Sequence, residues 1–192
     1  MSYAKPSSWL VPSVLSILEL STRSAPGATT ARPAPGRLAI LPRPRGGEWL
    51  EDDVYAWQQV GLDVVVSLLT REEITDLDLA QEERFCQANG IQFVSFPIVD
   101  RGTPASRGAT LDLVRKLDGA LAEGKNLAIH CRQGIGRSGL IAACLLVVTG
   151  VDPETAFRRV SVARGCVVPE TAEQQEWVRE FARELPTSIP QQ

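Results

Sequence analysis

The sequence predicts an α/β fold: a single domain whose central, mainly parallel sheet of about four to five strands is flanked by helices. Three observations carry that expectation. Short β-branched apolar runs alternate with segments of helical spacing, the order that βα units produce. The 192 residues suit one ordinary domain and are too few for two comfortable ones. With 44% hydrophobic and 22% charged residues, the chain has the balance of a globular protein with a sizeable core.

Residues 1–36 read as a poorly ordered extension, because 21–36 are dominated by Ser, Thr, Ala, Pro and Gly. Trp9 to Leu20 carries a weak signal-peptide pattern, with Lys5 upstream and small residues at Ala25 to Ala28, but Pro12 and Glu19 interrupt it. No apolar run reaches the ~20 residues needed to span a bilayer, so no membrane partner is expected. The domain is expected over 37–185, with 186–192 as a tail.

Within the domain, Arg37–Leu41 reads as a strand stopped by Pro42, Pro44 and the Gly46–Gly47 pair. Trp49–Val60 has helical spacing, with Leu50, Val54 and Trp57 on one side. Leu62–Leu69 is a near-continuous apolar run, as expected of a strand covered on both faces. Ile74–Ala88 reads as one helix ending at Asn89–Gly90, and Ile91–Val99 as a further strand. Thr110–Ala122 is helical and Asn126–His130 is a short strand. Helices follow over Ser138–Thr149, Pro153–Ala163 and Pro169–Leu185, the second marked by Asp152 as cap and Pro153 in the first turn.

Composition narrows the chemistry. Twenty basic against 23 acidic residues give a net charge of -3, which argues against nucleic-acid binding by bulk charge. Only Lys5, Lys116 and Lys125 among the basic residues are lysines; the rest are arginines, the better planar fork for phosphate. A lone histidine, His130, and four scattered cysteines without a CxxC pair predict no metal site and no cofactor. Four cysteines in a chain this long do not make a disulfide framework, so a reducing, cytoplasmic setting is the default. Nothing in the pattern sets an oligomeric state.

Between the Asn126–His130 strand and the next helix runs His130-Cys131-Arg132-Gln133-Gly134-Ile135-Gly136-Arg137-Ser138. A strand delivers a cysteine into a glycine-bearing loop, and the loop opens directly into a helix. The N–H groups of such a loop converge on one anion, and the helix N-terminus adds positive potential. Gly134 and Gly136 permit tight turning and close approach to a ligand. The same field favours thiolate over thiol. Arg137, six residues after Cys131, curls back over the same centre. An anion held by amides and a bidentate arginine, facing a thiolate, is the arrangement for nucleophilic attack on phosphorus. The competing reading, a tight glycine turn beside a buried cysteine, explains neither Arg137 nor Ser138.

His-Cys-x5-Arg-Ser resembles the signature of cysteine-dependent protein tyrosine and dual-specificity phosphatases, in the compact dual-specificity branch, over roughly Arg37 to Leu185. The resemblance implies a phosphate loop of Arg132, Gln133, Gly134, Ile135, Gly136 and Arg137. It implies Cys131 as nucleophile, Arg137 as phosphate and transition-state ligand, and Ser138 as the hydroxyl that helps the sulfur leave. His130 would orient the loop and keep the thiolate acidic, or be a satisfied core histidine; the two readings are compatible. Asp100, in the Gly/Pro-containing loop after Phe96–Val99, resembles the family's general acid, against the plainer reading of a turn aspartate. Asp112 and Asp118 are weaker rivals within a helical pattern. Gln174 and Glu170 match, the latter imperfectly, a glutamine-containing segment that positions the hydrolytic water. A first-turn pair of acids suiting the helix dipole is the equal alternative there.

The remaining features have plainer readings. Arg101 and Arg107 are candidates for the mouth of the site, and Arg43–Arg45 with Arg158, Arg159 and Arg164 for a basic rim, against the default of solvated arginines. Cys144, Cys86 and Cys166 read as structural. The expected function is hydrolysis of a phosphate monoester, in a phosphorylated protein or a small molecule, through a cysteinyl-phosphate intermediate. A non-protein substrate (phosphoinositide, inositol phosphate, nucleic-acid 5′ phosphate) and a silent phosphate-binding module are the alternatives. A rhodanese-type sulfurtransferase fits the loop length and arginine spacing poorly.

Overall fold

A computed structural model describes residues 36–185 and the backbone of residues 16–18. The rest of the expected extension and the tail 186–192 lie outside the described residues. Strands β1 (Ser16–Leu18), β2 (Leu38–Pro42), β3 (Val64–Ser67), β4 (Gln92–Ser95) and β5 (Leu127–Cys131) form one sheet in the order β1-β2-β5-β3-β4. The four strands from β2 onward are parallel; β1, inside the stretch read as an extension, pairs antiparallel with the outer edge of β2.

Period-two alternation sorts the strand residues onto two faces. Leu38, Ile40, Val64, Val66, Leu127, Ile129 and Cys131 face one core, closed by helices α4 (Arg107–Ala122), α5 (Gly136–Val148), α6 (Pro153–Arg164) and α7 (Ala172–Glu184). Ala39, Leu41, Val65 and Ala128 face a second core with α1 (Leu50–Gln59) and α3 (Glu82–Ala88). Covering on both faces explains why β3 and β5 read as unbroken apolar runs: every residue of each is buried. Helix α5 is apolar all round and is buried along almost its whole length, so whatever begins it is anchored in the centre of the molecule.

The helix expected over Ile74–Ala88 is two helices. α2 (Arg71–Asp76) ends where Asp78 enters the left-handed region at φ 53, with Asp78 N–H on Thr75 O and Leu79 N–H on Ile74 O. That pair of bonds is a Schellman closure with aspartate where glycine usually stands. Burial of Leu79 accompanies it, and the chain restarts as α3. The strand expected over Ile91–Val99 is regular only in β4. Phe96 N–H still reaches Ser67 O and Ile98 N–H reaches Leu68 O, but Pro97 between them has no N–H to give. The segment therefore follows the sheet loosely and is released just before Asp100.

Candidate active site

β5 lies between β2 and β3, and its last residue, Cys131, opens the loop that enters α5. Gly134 has φ 68, and a Cβ there would fall 2.5 Å from Leu41 O, so this step of the loop admits only glycine. Gly136 is needed for space: a Cβ would lie 3.0 Å from Gln174 Oε1. Ile135 stands at the N-cap of α5 and offers no side-chain cap. No capping side chain takes the first amides of this helix, in a sequence that caps α2, α4, α6 and α7 with Thr70, Ser106, Asp152 and Thr171.

The sulfur of Cys131 sits 3.4 Å from Ser138 Oγ, and the N–H groups of Ser138 and Ile135 also donate to it. Burial pushes this thiol up; the Ser138 hydroxyl, those two amides and the Arg137 charge outweigh it, and the net displacement is downward. Cys86, buried near Glu82 and Glu83 on the other side of the sheet, is pushed up to about 12, and burial raises Cys144 as well. Of these three cysteines only Cys131 is held toward thiolate.

Arg137 is 1% exposed and almost fully committed. Its Nη1 donates to Glu73 Oε2 at 2.6 Å and to Ile98 O at 2.9 Å, and its Nη2 to Glu73 Oε1 at 2.9 Å and to Asp100 Oδ1 at 2.8 Å. Glu73 completes a capping box with Thr70 at the start of α2. Burial raises the Glu73 carboxyl, but the Arg137 fork and the Thr70 amide overcome it and hold the group below its ordinary range. The guanidinium is therefore fixed in plane by a bidentate carboxylate before any ligand arrives.

Asp100 is held by the same guanidinium while half of its side chain stays in solvent. A tight turn aims it, with Gly102 N–H on Val99 O and Arg101 in the left-handed region at φ 59. Asp100, Arg101, Cys131, Arg132, Gln133, Ile135, Gly136, Arg137 and Glu170 line a single cleft of about 170 Å³. Gln174 is fully buried and does not line it. Its Nε2 donates to Gly102 O at 3.0 Å, tying the Asp100 loop to α7, and its Oε1 accepts from Thr171 N–H. Glu170 lines the cleft with Arg101 Nη2 at 3.9 Å.

His130 is fully buried and faces away from the sulfur, on the side of the sheet held by Trp57, whose ring is 6.1 Å away. Its Nε2 is 2.8 Å from Glu82 Oε1, itself 2% exposed, but off the line of a good hydrogen bond. Whatever this residue does for the loop it does through the backbone of β5. Asp112 and Asp118 line other grooves, on α4. Arg107 pairs with Glu180 and Glu184 and Arg45 with Asp53, and neither lines the cleft, whereas Arg101 does. Among the described residues no group of three or more His, Cys, Asp or Glu side chains is placed to hold a metal ion. No helix among them is long and apolar enough to cross a membrane.

Two residues that sequence reasoning did not select as chemical stand out. Glu73 was legible as a cap through Thr70-x-x-Glu73, though its partner 64 residues away was not. Arg164, read as rim charge, reaches the loop itself.

Residues 29–186 match the family model PTP-SAK, described as "Swiss Army Knife protein, DSP-PTPase phosphatase domain". The chain is 29% identical over 138 residues to "Cyclin-dependent kinase inhibitor 3" of Rattus norvegicus, covering 71% of this chain and 65% of that protein. It is 39% identical over 104 residues to "Protein tyrosine phosphatase domain-containing protein 1" of Danio rerio, covering 54% of this chain and 14% of that protein. The chain spans about half to two thirds of the length of the first curated relatives it matches. Among solved structures, "kinase associated phosphatase (KAP)", with serine in place of its catalytic-site cysteine, superposes with a TM-score of 0.71 at 24% identity, covering 80% of this chain and 89% of that one. "Tk-PTP in the active form" superposes with a TM-score of 0.66 at 28% identity, covering 82% of this chain and 99% of that one.

Proposed function

Because the chain belongs to the DSP-PTPase family and is a cysteine-dependent phosphatase, we propose that it removes phosphate from phosphotyrosine, phosphoserine or phosphothreonine in proteins through a cysteinyl-phosphate intermediate. The observation that carries this reading is one cleft holding a sulfur biased toward thiolate, a guanidinium locked in plane, and a carboxyl on a separate loop. In the first step the Cys131 thiolate attacks phosphorus. The S–P bond forms as the ester P–O bond breaks, and Asp100 gives its proton to the departing oxygen. Arg137 and the amides at the start of α5 take the equatorial oxygens, whose charge is greatest in the transition state. In the second step water attacks phosphorus, Asp100 accepts its proton and the S–P bond breaks. The Ser138 hydroxyl then donates to the returning thiolate.

Arg137 cannot serve phosphate fully while the Asp100 carboxylate occupies Nη2, so substrate entry exchanges that carboxylate for a phosphate oxygen; Asp100, released from the cation, takes up a proton from solvent and faces the leaving group as the acid. Of the two residues expected to orient water, we assign that role to Glu170, which lines the cleft, and assign Gln174 to seating the Asp100 loop. Arg132 is the only cation inside the loop before Arg137, a sparse complement for a highly phosphorylated inositol. Four unpaired cysteines suit a reducing compartment.

Turnover of p-nitrophenyl phosphate and of phosphopeptides by the purified chain tests the reading, with inositol phosphates and EDTA as separate arms. Expected are turnover of the phosphopeptides, indifference to chelator, and a loss of ~10⁴-fold or more in Cys131→Ser. Preferential turnover of inositol phosphates would replace the substrate class, and activity surviving in Cys131→Ser would end the nucleophile assignment.

A further inference from the structure

α6 ends at Arg164, where Gly165 turns the chain away at φ 74. From that end the Arg164 side chain crosses to the loop: Nε donates to Gly134 O at 2.6 Å and Nη2 to Gln133 O at 3.0 Å. The two accepting carbonyls belong to consecutive peptide units. In a trans peptide the N–H points opposite to the C=O of the same unit. Drawing Gln133 O and Gly134 O outward therefore turns the N–H groups of Gly134 and Ile135 inward, toward the cleft. The Ile135 amide is one of the two that donate to the Cys131 sulfur.

We propose that Arg164 is a positioning residue for the phosphate loop, a two-pronged clamp on the outer carbonyls that aims the Gly134 and Ile135 amides at the sulfur and at the bound oxyanion. A cationic donor also polarises each peptide it bonds, strengthening the amide on the far side. Lysine cannot replace it, since one ammonium does not span two carbonyls in a fixed plane. The inference rests on the reading of the loop as an oxyanion cup, but it can be read without turnover. Several other charges surround the thiol: Arg137 on α5 with Glu73 of α2 behind it, Asp100 after β4, Arg132 in the loop, and Glu170 before α7. His130 lies next to Cys131 on β5, with Glu82 of α3 beyond it. None of these bonds the outer carbonyls in the way Arg164 does.

The experiment follows alkylation of Cys131 by iodoacetamide against pH, read on the Cys131 peptide by mass spectrometry, because the exposed Cys166 also reacts. Vanadate affinity is measured beside it. In Arg164→Met the alkylation midpoint is expected to rise by about one pH unit, a tenfold smaller thiolate fraction below the midpoint, with vanadate binding weaker by about tenfold. Added guanidinium at tens of millimolar should restore part of both. Arg158→Met removes a cation from the same helix; Arg158 bonds Thr155 and, contrary to the rim expectation, lines no part of the cleft, so the variant should leave both unchanged. Arg164→Lys, which keeps the charge and loses the fork, should behave like Arg164→Met and serves if the methionine variant is too unstable to assay. A wild-type midpoint in Arg164→Met or Arg164→Lys, or an equal shift in Arg158→Met, would overturn the clamp. Absence of turnover in the unmutated chain would instead overturn the phosphatase reading, with the alkylation comparison still standing on its own.

Discussion

Two carboxylates on adjacent short helices meet two nitrogenous groups of the signature stretch, in opposite ways. Glu73, in the first turn of α2, meets Arg137 through two direct bonds, and both of its oxygens are used. Glu82, in the first turn of α3, meets His130 at 2.8 Å without a well-aligned hydrogen bond, sealed behind Trp57 on the far side of the sheet. The first pair borders the cleft and leaves the guanidinium able to take an anion. The second is closed off from solvent at both partners. The difference teaches that burial of a charged pair does not by itself mark chemistry. Geometry toward open space does.

The comparison breaks most sharply at Arg137. Arg137→Ala removes the proposed phosphate fork and strands Glu73, so turnover of p-nitrophenyl phosphate is expected to fall ~10³-fold or more. Stranding a buried carboxylate also destabilises the fold by roughly 3–5 kcal/mol, to be checked by urea unfolding. Retention of turnover within tenfold would mean the guanidinium does not touch the reacting phosphate.

Glu73→Gln is the finer cut. The amide still accepts once and keeps the shape, but the bidentate lock and its charge are gone, and Arg137 is freed to follow Asp100. A fall in kcat/KM of about 10- to 100-fold is expected, carried mainly by kcat, because misalignment of a transition-state ligand is felt there. Glu82→Gln should do the reverse. It disturbs a sealed pair, so we expect a loss of about 1–3 kcal/mol of stability with kcat/KM changed less than threefold. If Glu82→Gln damaged turnover as much as Glu73→Gln, the two pairs would be functionally alike and the distinction drawn from their geometry would fail.

The pairings are also where the sequence stops being readable. The strand–loop–helix context, Cys131, Arg137, Ser138 and the Asp100 loop were visible because they are local: a periodicity change, a glycine pattern, a breaker after a strand. Element ends marked by Asp152 or Asn89 were legible for the same reason. The break in the Ile74–Ala88 helix was not, because the apolar spacing runs across it and only the backbone shows Asp78 taking the place of a glycine. Glu73 beside Arg137, Arg164 on the loop carbonyls and Gln174 on Gly102 depend on which strand lies next to which. Gln174 illustrates the loss: its position in the motif suggested water, and the fold spends its amide on a backbone carbonyl 72 residues away.

The smallest effect we expect concerns acid stability, and it separates Glu73 from its surroundings without reference to turnover. Burial raises the Glu73 carboxyl, but Arg137 and the Thr70 amide outweigh it, so the folded-state value lies below the unfolded one near about 4.3. A carboxyl depressed by folding contributes stability that is fully present above the unfolded value and is lost as the pH falls through the folded one. Urea unfolding between neutral pH and pH 3 should therefore show a shallower decline for Glu73→Gln than for the unmutated chain, because the amide has no proton to take up. The variant begins from a lower stability at neutral pH, and the two curves should converge toward the acid end. Parallel curves would mean that Arg137 does not hold the Glu73 carboxylate more tightly in the folded protein than water does in the unfolded one.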